Sequence, residues 1–144
     1  MIEKFKKENI NEVMEIWLNS NLEVHSFIDE QYWKDNYDYV KEIITNADLY
    51  VYIENKVVIG FIGMIDIHIE GIFVDKEYRN VGIGKLLLDK AKELNDNLFL
   101  NVYKKNRMAL DFYKNNGFDV IEEKLEEDFG EVEYLMKWVK NNRD

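Results

Sequence analysis

Arg79, Gly82 and Gly84 stand in the run Val74-Asp75-Lys76-Glu77-Tyr78-Arg79-Asn80-Val81-Gly82-Ile83-Gly84-Lys85, between an apolar stretch of strand character and one of helical periodicity. A helix start leaves several backbone N–H groups without partners, all aimed at one spot with the positive end of the helix dipole behind them. Glycines at 82 and 84 let that backbone approach a bulky anion with no Cβ in the way. The chemistry this suits is diphosphate binding, through charge-assisted bonds of about 1.5–3 kcal/mol each. Two common phosphate loops do not match. A nucleotide P-loop needs glycine where Arg79 stands and Ser or Thr where Leu86 stands. A dinucleotide fingerprint needs a third small residue at the position of Leu87.

Proton-handling residues lie just upstream. Strand alternation places Asp66, His68 and Glu70 on one face, opposite Ile67 and Ile69. Histidine titrates near neutral pH and suits proton removal. The second histidine, His25, is remote in sequence and no carboxylate is spaced to complete a metal site with it, so no metal is expected. Downstream, Asn106-x-x-Ala109-x-x-Phe112-Tyr113-x-x-x-Gly117-Phe118 combines a helix cap, an aromatic pair and a glycine stop.

Together these segments resemble the GNAT superfamily of acetyl-CoA-dependent N-acetyltransferases. The cofactor loop of that superfamily, Arg/Gln-x-x-Gly-x-Gly/Ala, is matched by Arg79, Gly82 and Gly84, and its downstream motif is matched from Asn106 to Phe118. Trp17-Leu18-x-x-Asn21-x-x-x-His25-x-Phe27-Ile28 with Tyr32-Trp33 resembles a small bacterial branch of peptidyl-lysine acetyltransferases. Lys76 departs from the proline common after that strand.

The resemblance implies an α/β fold with a mixed, mostly antiparallel seven-stranded sheet, four helices and a splayed central strand pair, in one N-acetyltransferase domain over residues 1–144. It implies acetyl-CoA as cosubstrate, with pantetheine in the gap between the splayed strands. Amides of Ile72, Phe73 and Val74 would meet the pantetheine arm and polarise the thioester carbonyl. Arg79, Asn80, Val81, Gly82, Ile83, Gly84 and Lys85 would hold the diphosphate, and Asn106 would contact the cofactor. Tyr113 falls where the superfamily places its general acid. His68 falls at the position of the base in histone-acetylating members; Glu70, directly or through water, and a bulk-water relay are the alternatives. His25, Phe27 and Trp33 fall in the segment bordering the acceptor pocket. Direct attack of the amine in a ternary complex needs no enzyme nucleophile, in keeping with a chain that has no cysteine. The acceptor is a small-molecule or peptide amine. The alternative is a coenzyme A-binding sensor module without catalysis.

Composition agrees. The 144 residues carry 19 Lys+Arg against 29 Asp+Glu, a net charge of −10, which argues against a nucleic-acid footprint. Yet residues 76–107 hold eight Lys/Arg and four Asp/Glu, net +4, leaving −14 on the remainder. The basic stretch suits a polyanionic coenzyme, and the acidic remainder a cationic amine. The longest apolar run, Val57 to Ile65, is too short for a membrane span, and the charged Met1-to-Lys7 start is unlike a signal peptide. A cytoplasmic monomer or homodimer is expected.

Those residues need elements to position them. Expected are a strand at 2–6, a helix opened by an Asn9–Glu12 capping box, and one helix from Asp29 to Ile44. A hairpin at 49–64 follows, then a strand continuing from Ile65 to Val74 with an irregularity at Gly71. A helix after Gly82 buries Leu86, Leu87, Ala91 and Leu94. Then come a strand at 98–103, a helix at 106–115, and a closing antiparallel pair at 118–124 and 133–139.

Overall fold

Tight turns organise the first half of the chain. In the computed structural model, which describes residues 1–141, Asn55 and Lys56 have φ of 52° and 69°. Both central residues of a two-residue hairpin need positive φ to match the twist of its strands, and Asn tolerates this well. The turn joins β2 (Tyr50–Glu54) to β3 (Val57–Ile65). β1 (Ile2–Lys4) pairs with the far edge of β2.

The expected continuous strand from Ile65 to Val74 is instead broken. β3 ends at Ile65, Asp66 turns at φ 53°, and β4 (His68–Val74) returns antiparallel to β3. The apolar run conceals the turn because Ile65 and Ile67 are exposed there rather than buried. Asp66 therefore belongs to the turn and does not share a strand face with His68 and Glu70. The register shifts between Gly63 and Met64, leaving Glu70 as the extra residue of a bulge, one position before the expected Gly71.

β5 (Asn97–Tyr103), β6 (Asp119–Glu126) and β7 (Glu131–Val139) complete a seven-stranded sheet in the order β1-β2-β3-β4-β5-β7-β6. β4 and β5 are parallel and pair only at His68–Phe99 and Ile69–Leu100. Beyond those two pairs they part, and this is the splay.

Five α-helices, one more than expected, lie among the described residues: α1 (Ile10–Val24), α2 (Glu30–Asp35), α3 (Tyr37–Thr45), α4 (Ile83–Leu94) and α5 (Arg107–Asn115). The extra one arises because the expected Asp29–Ile44 helix breaks at Asn36. The Asn36 side-chain amide donates to the Tyr32 carbonyl at 2.7 Å, offering that carbonyl an alternative to the helical ladder. The expected capping box at α1 is also replaced. Asn9 Oδ1 accepts from the Lys6 amide, and Glu12 Oε2 reaches across to accept from the Val58 amide at 2.9 Å, tying α1 to β3.

Two apolar clusters hold the helices to the sheet. Val13, Met14, Ile16 and Trp17 of α1 pack with Val51 and Phe61. Leu87, Leu88, Ala91 and Leu110 of α4 and α5 pack with Leu98, Leu100 and Met136. Leu86 and Leu94, expected inside, are exposed; Ile83 and Leu88 take their places. Leu87 is fully buried and abuts the bare backbone of Gly60, so it anchors the helix whose start carries the anion loop. Leu87→Ala is expected to cost about 2–5 kcal/mol, read as a lowered urea midpoint with an unchanged slope.

Candidate active site

The anion loop is built by local backbone chemistry. Asp75 accepts from the Glu77 amide and starts a single tight turn over Lys76–Tyr78. Asn80 and Gly82 then both take left-handed conformations, φ 66° and 89°, delivering the chain into α4. The first helical bond in α4 runs from Leu86 N–H to Gly82 O, so the amides of Ile83, Gly84 and Lys85 have no partner within the helix. The Ile83 side chain is buried in the core, so only its amide can serve a ligand. Lys85 Nζ pairs with Asp89 along the helix at 2.9 Å, while Val81 is exposed.

Arg79 is held in place by two contacts. Its Nε donates to the Val74 carbonyl at 3.1 Å, and its Nη1 lies 2.8 Å from the Glu23 carboxylate of α1. Glu23 and a bound diphosphate would compete for the same guanidinium.

The splay exposes backbone. The Asp75 amide donates to Ile59 on the β3 side, so alternation turns the amides of Ile72 and Val74 toward the gap and that of Phe73 toward β3. Phe73 contributes its ring, stacked on Phe61 with centroids 4.9 Å apart. A cleft of about 430 Å³ runs from the loop at 79–85 along Ile72–Val74 to Asn106, Phe112 and Tyr113. It adjoins a cavity of about 460 Å³ lined by Trp17, His25, Trp33, His68, Glu70, Asn101, Tyr103 and Glu133. Ile72, Phe73, Asn106, Ala109 and Tyr113 line both. Tyr113 therefore sits at the junction. Its burial in α5 raises the phenol pKa, keeping the hydroxyl protonated throughout the working range.

The two histidines differ. His25 Nδ1 lies 2.9 Å from Asn21 Oδ1, and the Asn21 amide nitrogen donates to the Trp17 carbonyl. Asn21 Oδ1 is thus an acceptor, so His25 carries its proton on Nδ1. Asn106 Oδ1 caps α5 by accepting from the Ala109 amide, and its nitrogen lies 3.3 Å from His25 Nε2, which accepts. His25 also stacks on Trp33 with centroids 5.6 Å apart and meets the edges of Phe27 and Tyr103. It is a neutral strut between the α1–α2 loop and the cap of α5. Phe27, expected to contact the acceptor, does not line the cavity; it packs against His25 and Tyr103, with Lys105 Nζ 5.5 Å from its ring centroid. His68, half-exposed on β4, has Nε2 2.7 Å from Asn101 Oδ1 and Nδ1 3.5 Å from Glu70.

Asn101, Tyr103, Lys124 and Glu133 line this cavity and were not singled out from the sequence; Asn21, which lines it too, stood in the Trp17–Trp33 segment without a site role. A polar Asn101 between Leu100 and Val102 was a readable signal, since asparagine is disfavoured inside strands.

Comparison with known proteins agrees with this geometry. Residues 4–134 match the acetyltransferase (GNAT) domain. The chain belongs to the GNAT acetyltransferase family. It is 28% identical to the peptidyl-lysine N-acetyltransferase YiaC of Escherichia coli, over 96% of each chain. The solution structure of apo-form YjaB from Escherichia coli superposes with a TM-score of 0.85 at 26% identity, covering 98% of each chain. A Bacillus anthracis protein solved in complex with acetyl coenzyme A superposes with a TM-score of 0.59 at 26% identity, over 66% of this chain and 63% of that one. This GNAT protein is accordingly an acetyl-CoA-dependent N-acetyltransferase. Its cleft fits that cosubstrate: a Cβ added at Gly82 would meet nothing within 4 Å, so the loop borders open space, and Gly84 faces the cleft beside Ile72 and Phe112. Among the described residues no group of three or more His, Asp or Glu is arranged to hold a metal ion, and no helix is long and apolar enough to cross a membrane.

Two outcomes follow from this geometry. Gly84→Val fills cleft space while its Cβ makes only ordinary contacts with Phe112. It should weaken coenzyme A binding at least tenfold by titration calorimetry, with the urea midpoint little changed. Burial lowers the His25 pKa to about 4, below its unfolded value of about 6.5. Between those values the unfolded chain binds more protons, so this contribution to stability is present above pH 6.5 and lost as the pH falls toward 4. Urea titrations across that window should show the decline, and His25→Gln should flatten it.

Proposed function

We propose that this GNAT enzyme transfers acetyl from acetyl-CoA directly to the side-chain amine of a lysine in a protein or peptide, within a ternary complex. The observation that carries the reading is the junction of the two cavities. A cleft with free amides and a glycine loop meets, at Tyr113, a second cavity that presents a basic nitrogen and carboxylates. The second cavity suits an alkyl-ammonium: Trp17, Trp33 and Tyr103 provide apolar and cation–π surface, while Glu70 and Glu133 provide negative charge. The relative that acts on peptidyl lysine supports the same acceptor.

The loop amides of Gly84 and Lys85, with Arg79, would hold the diphosphate; the amides of Ile72 and Val74 would orient the arm in the splay. The bound thioester supplies the acetyl group. His68 Nδ1 takes a proton from the acceptor ammonium, leaving a neutral nitrogen that can attack, and Glu70 beside it stabilises the resulting imidazolium. The Tyr113 hydroxyl donates to the departing sulfur. The ammonium nitrogen gives up two protons in becoming an amide: the first passes through His68 to solvent, and the second, lost as the tetrahedral intermediate collapses and the C–S bond breaks, replaces the one Tyr113 gives to the thiolate, so the products are acetyl-lysine, free thiol and one proton released to solvent.

With acetyl-CoA and a lysine peptide, acetyl-lysine and free thiol should form in equal amounts; peptides unmodified while free polyamines turn over would move the acceptor to small amines. Tyr113→Phe should lower kcat on the order of 10²-fold, within the usual contribution of a general acid, with coenzyme A affinity preserved. His68→Gln should flatten the rising limb of the pH–rate profile more than Glu70→Gln does, and the reverse ranking would assign the base to Glu70.

A further inference from the structure

Three adjacent strands place a hydrogen-bond chain behind His68. Asn101 of β5 has Oδ1 2.7 Å from His68 Nε2, and its Nδ2 donates to Glu133 Oε1 of β7 at 3.2 Å. Register explains the alignment. His68 pairs with Phe99, and Asn101 lies two residues further along the same strand face. β7 places Glu133 opposite Tyr103, again two residues on, so the three side chains share one side of the sheet.

The chemistry of the chain sets the Nε2 side of the ring. A carboxylate offers only acceptors, so Asn101 must turn its NH2 toward Glu133. Its oxygen then faces His68, and an amide oxygen also only accepts. His68 must therefore donate from Nε2; in the neutral ring the lone pair is then on Nδ1, 3.5 Å from the Glu70 carboxylate, whose pull on an incoming proton makes that nitrogen the basic one. Reversing the amide would set its oxygen against the Glu133 carboxylate, a repulsive contact in a partly buried place.

We propose that Asn101 and Glu133 are positioning residues that lock His68 in the Nε2–H tautomer, so that Nδ1 is the nitrogen presented to the acceptor amine. This rests on the reading of His68 as the base and adds the device that makes one particular nitrogen basic. The charged and titratable groups facing the ring are Glu70 from β4, Tyr103 from β5, Glu133 from β7 and Lys124 from β6. Lys124 Nζ lies 3.8 Å from Glu133 Oε1. Across the cavity His25 is held in the opposite tautomer, with its proton on Nδ1. The molecule thus contains its own contrast: one histidine with no free lone pair, and one whose lone pair is reserved.

Imidazole 15N shifts of the histidine-labelled protein test this directly, at a pH where both rings are neutral and with His68→Gln supplying the assignment. The wild-type protein should show His68 protonated on Nε2 and His25 on Nδ1; a wild-type His68 protonated on Nδ1 overturns the proposal without any variant having to fold. In Glu133→Gln the side chain can itself donate, so Asn101 is free to turn over. His68 should then populate both tautomers, and kcat should fall about tenfold while KM for acetyl-CoA stays put. Loss of activity with the tautomer unchanged overturns the relay. The two readings separate cleanly: if His68→Gln keeps full activity while the tautomer still follows Glu133, the base assignment fails and the tautomer lock survives; if His68→Gln is inactive and the tautomer ignores Glu133, the lock fails and the base survives.

Discussion

Two parallel strands that stay paired for only two residues open the cleft at the centre of this protein. Had β4 and β5 continued together past Ile69–Leu100, the amides of Ile72 and Val74 would have been consumed in the ladder. Because the strands part, buried backbone donors are left without sheet partners at the centre of the molecule. Such groups are costly unless something bonds them, which makes the splay a standing demand for a polar ligand. In the proposed complex the arm of the cosubstrate would bond those amides, and the start of α4 would hold the diphosphate at its end.

The sheet meets this demand without losing cohesion, because each splayed strand is fully paired on its other edge. β4 is paired along its length with β3, and β5 with β7 over seven residues. The apolar clusters add to this, since α4 and α5 pack across the region where the hydrogen bonds are missing. On α5, Tyr113 is buried deeply enough to stay a phenol, yet it lines both cavities.

Much of this was legible from residue order. The glycine loop before α4, the Asn106 cap and the Gly117 stop are local devices, governed by backbone conformation over a few residues, and the structure shows each conformation where the spacing implied. The Asn55-Lys56 hairpin belongs with them. Less legible were the elements whose signals overlap: the Asp66 turn lay hidden in a run of isoleucines, and the Asn36 break interrupted what otherwise reads as one amphipathic helix. The Asn9–Glu12 pair has the spacing of a cap, yet Glu12 is drawn off to the Val58 amide, a partner 46 residues away that no local rule could name.

Residue types and their order thus determined the family and the glycine loop at the start of α4, because each depends on short-range geometry or on a side chain's own chemistry. What each of the two histidines touches was decided by folding alone. His25 and His68 are chemically identical imidazoles; what separates them is which amide faces which nitrogen, through Asn21 and Asn106 in one case and Asn101 in the other. Those amides come from distant segments brought together by strand register and helix docking. A tautomer is a property of neighbours in space, and only the packed chain supplies them.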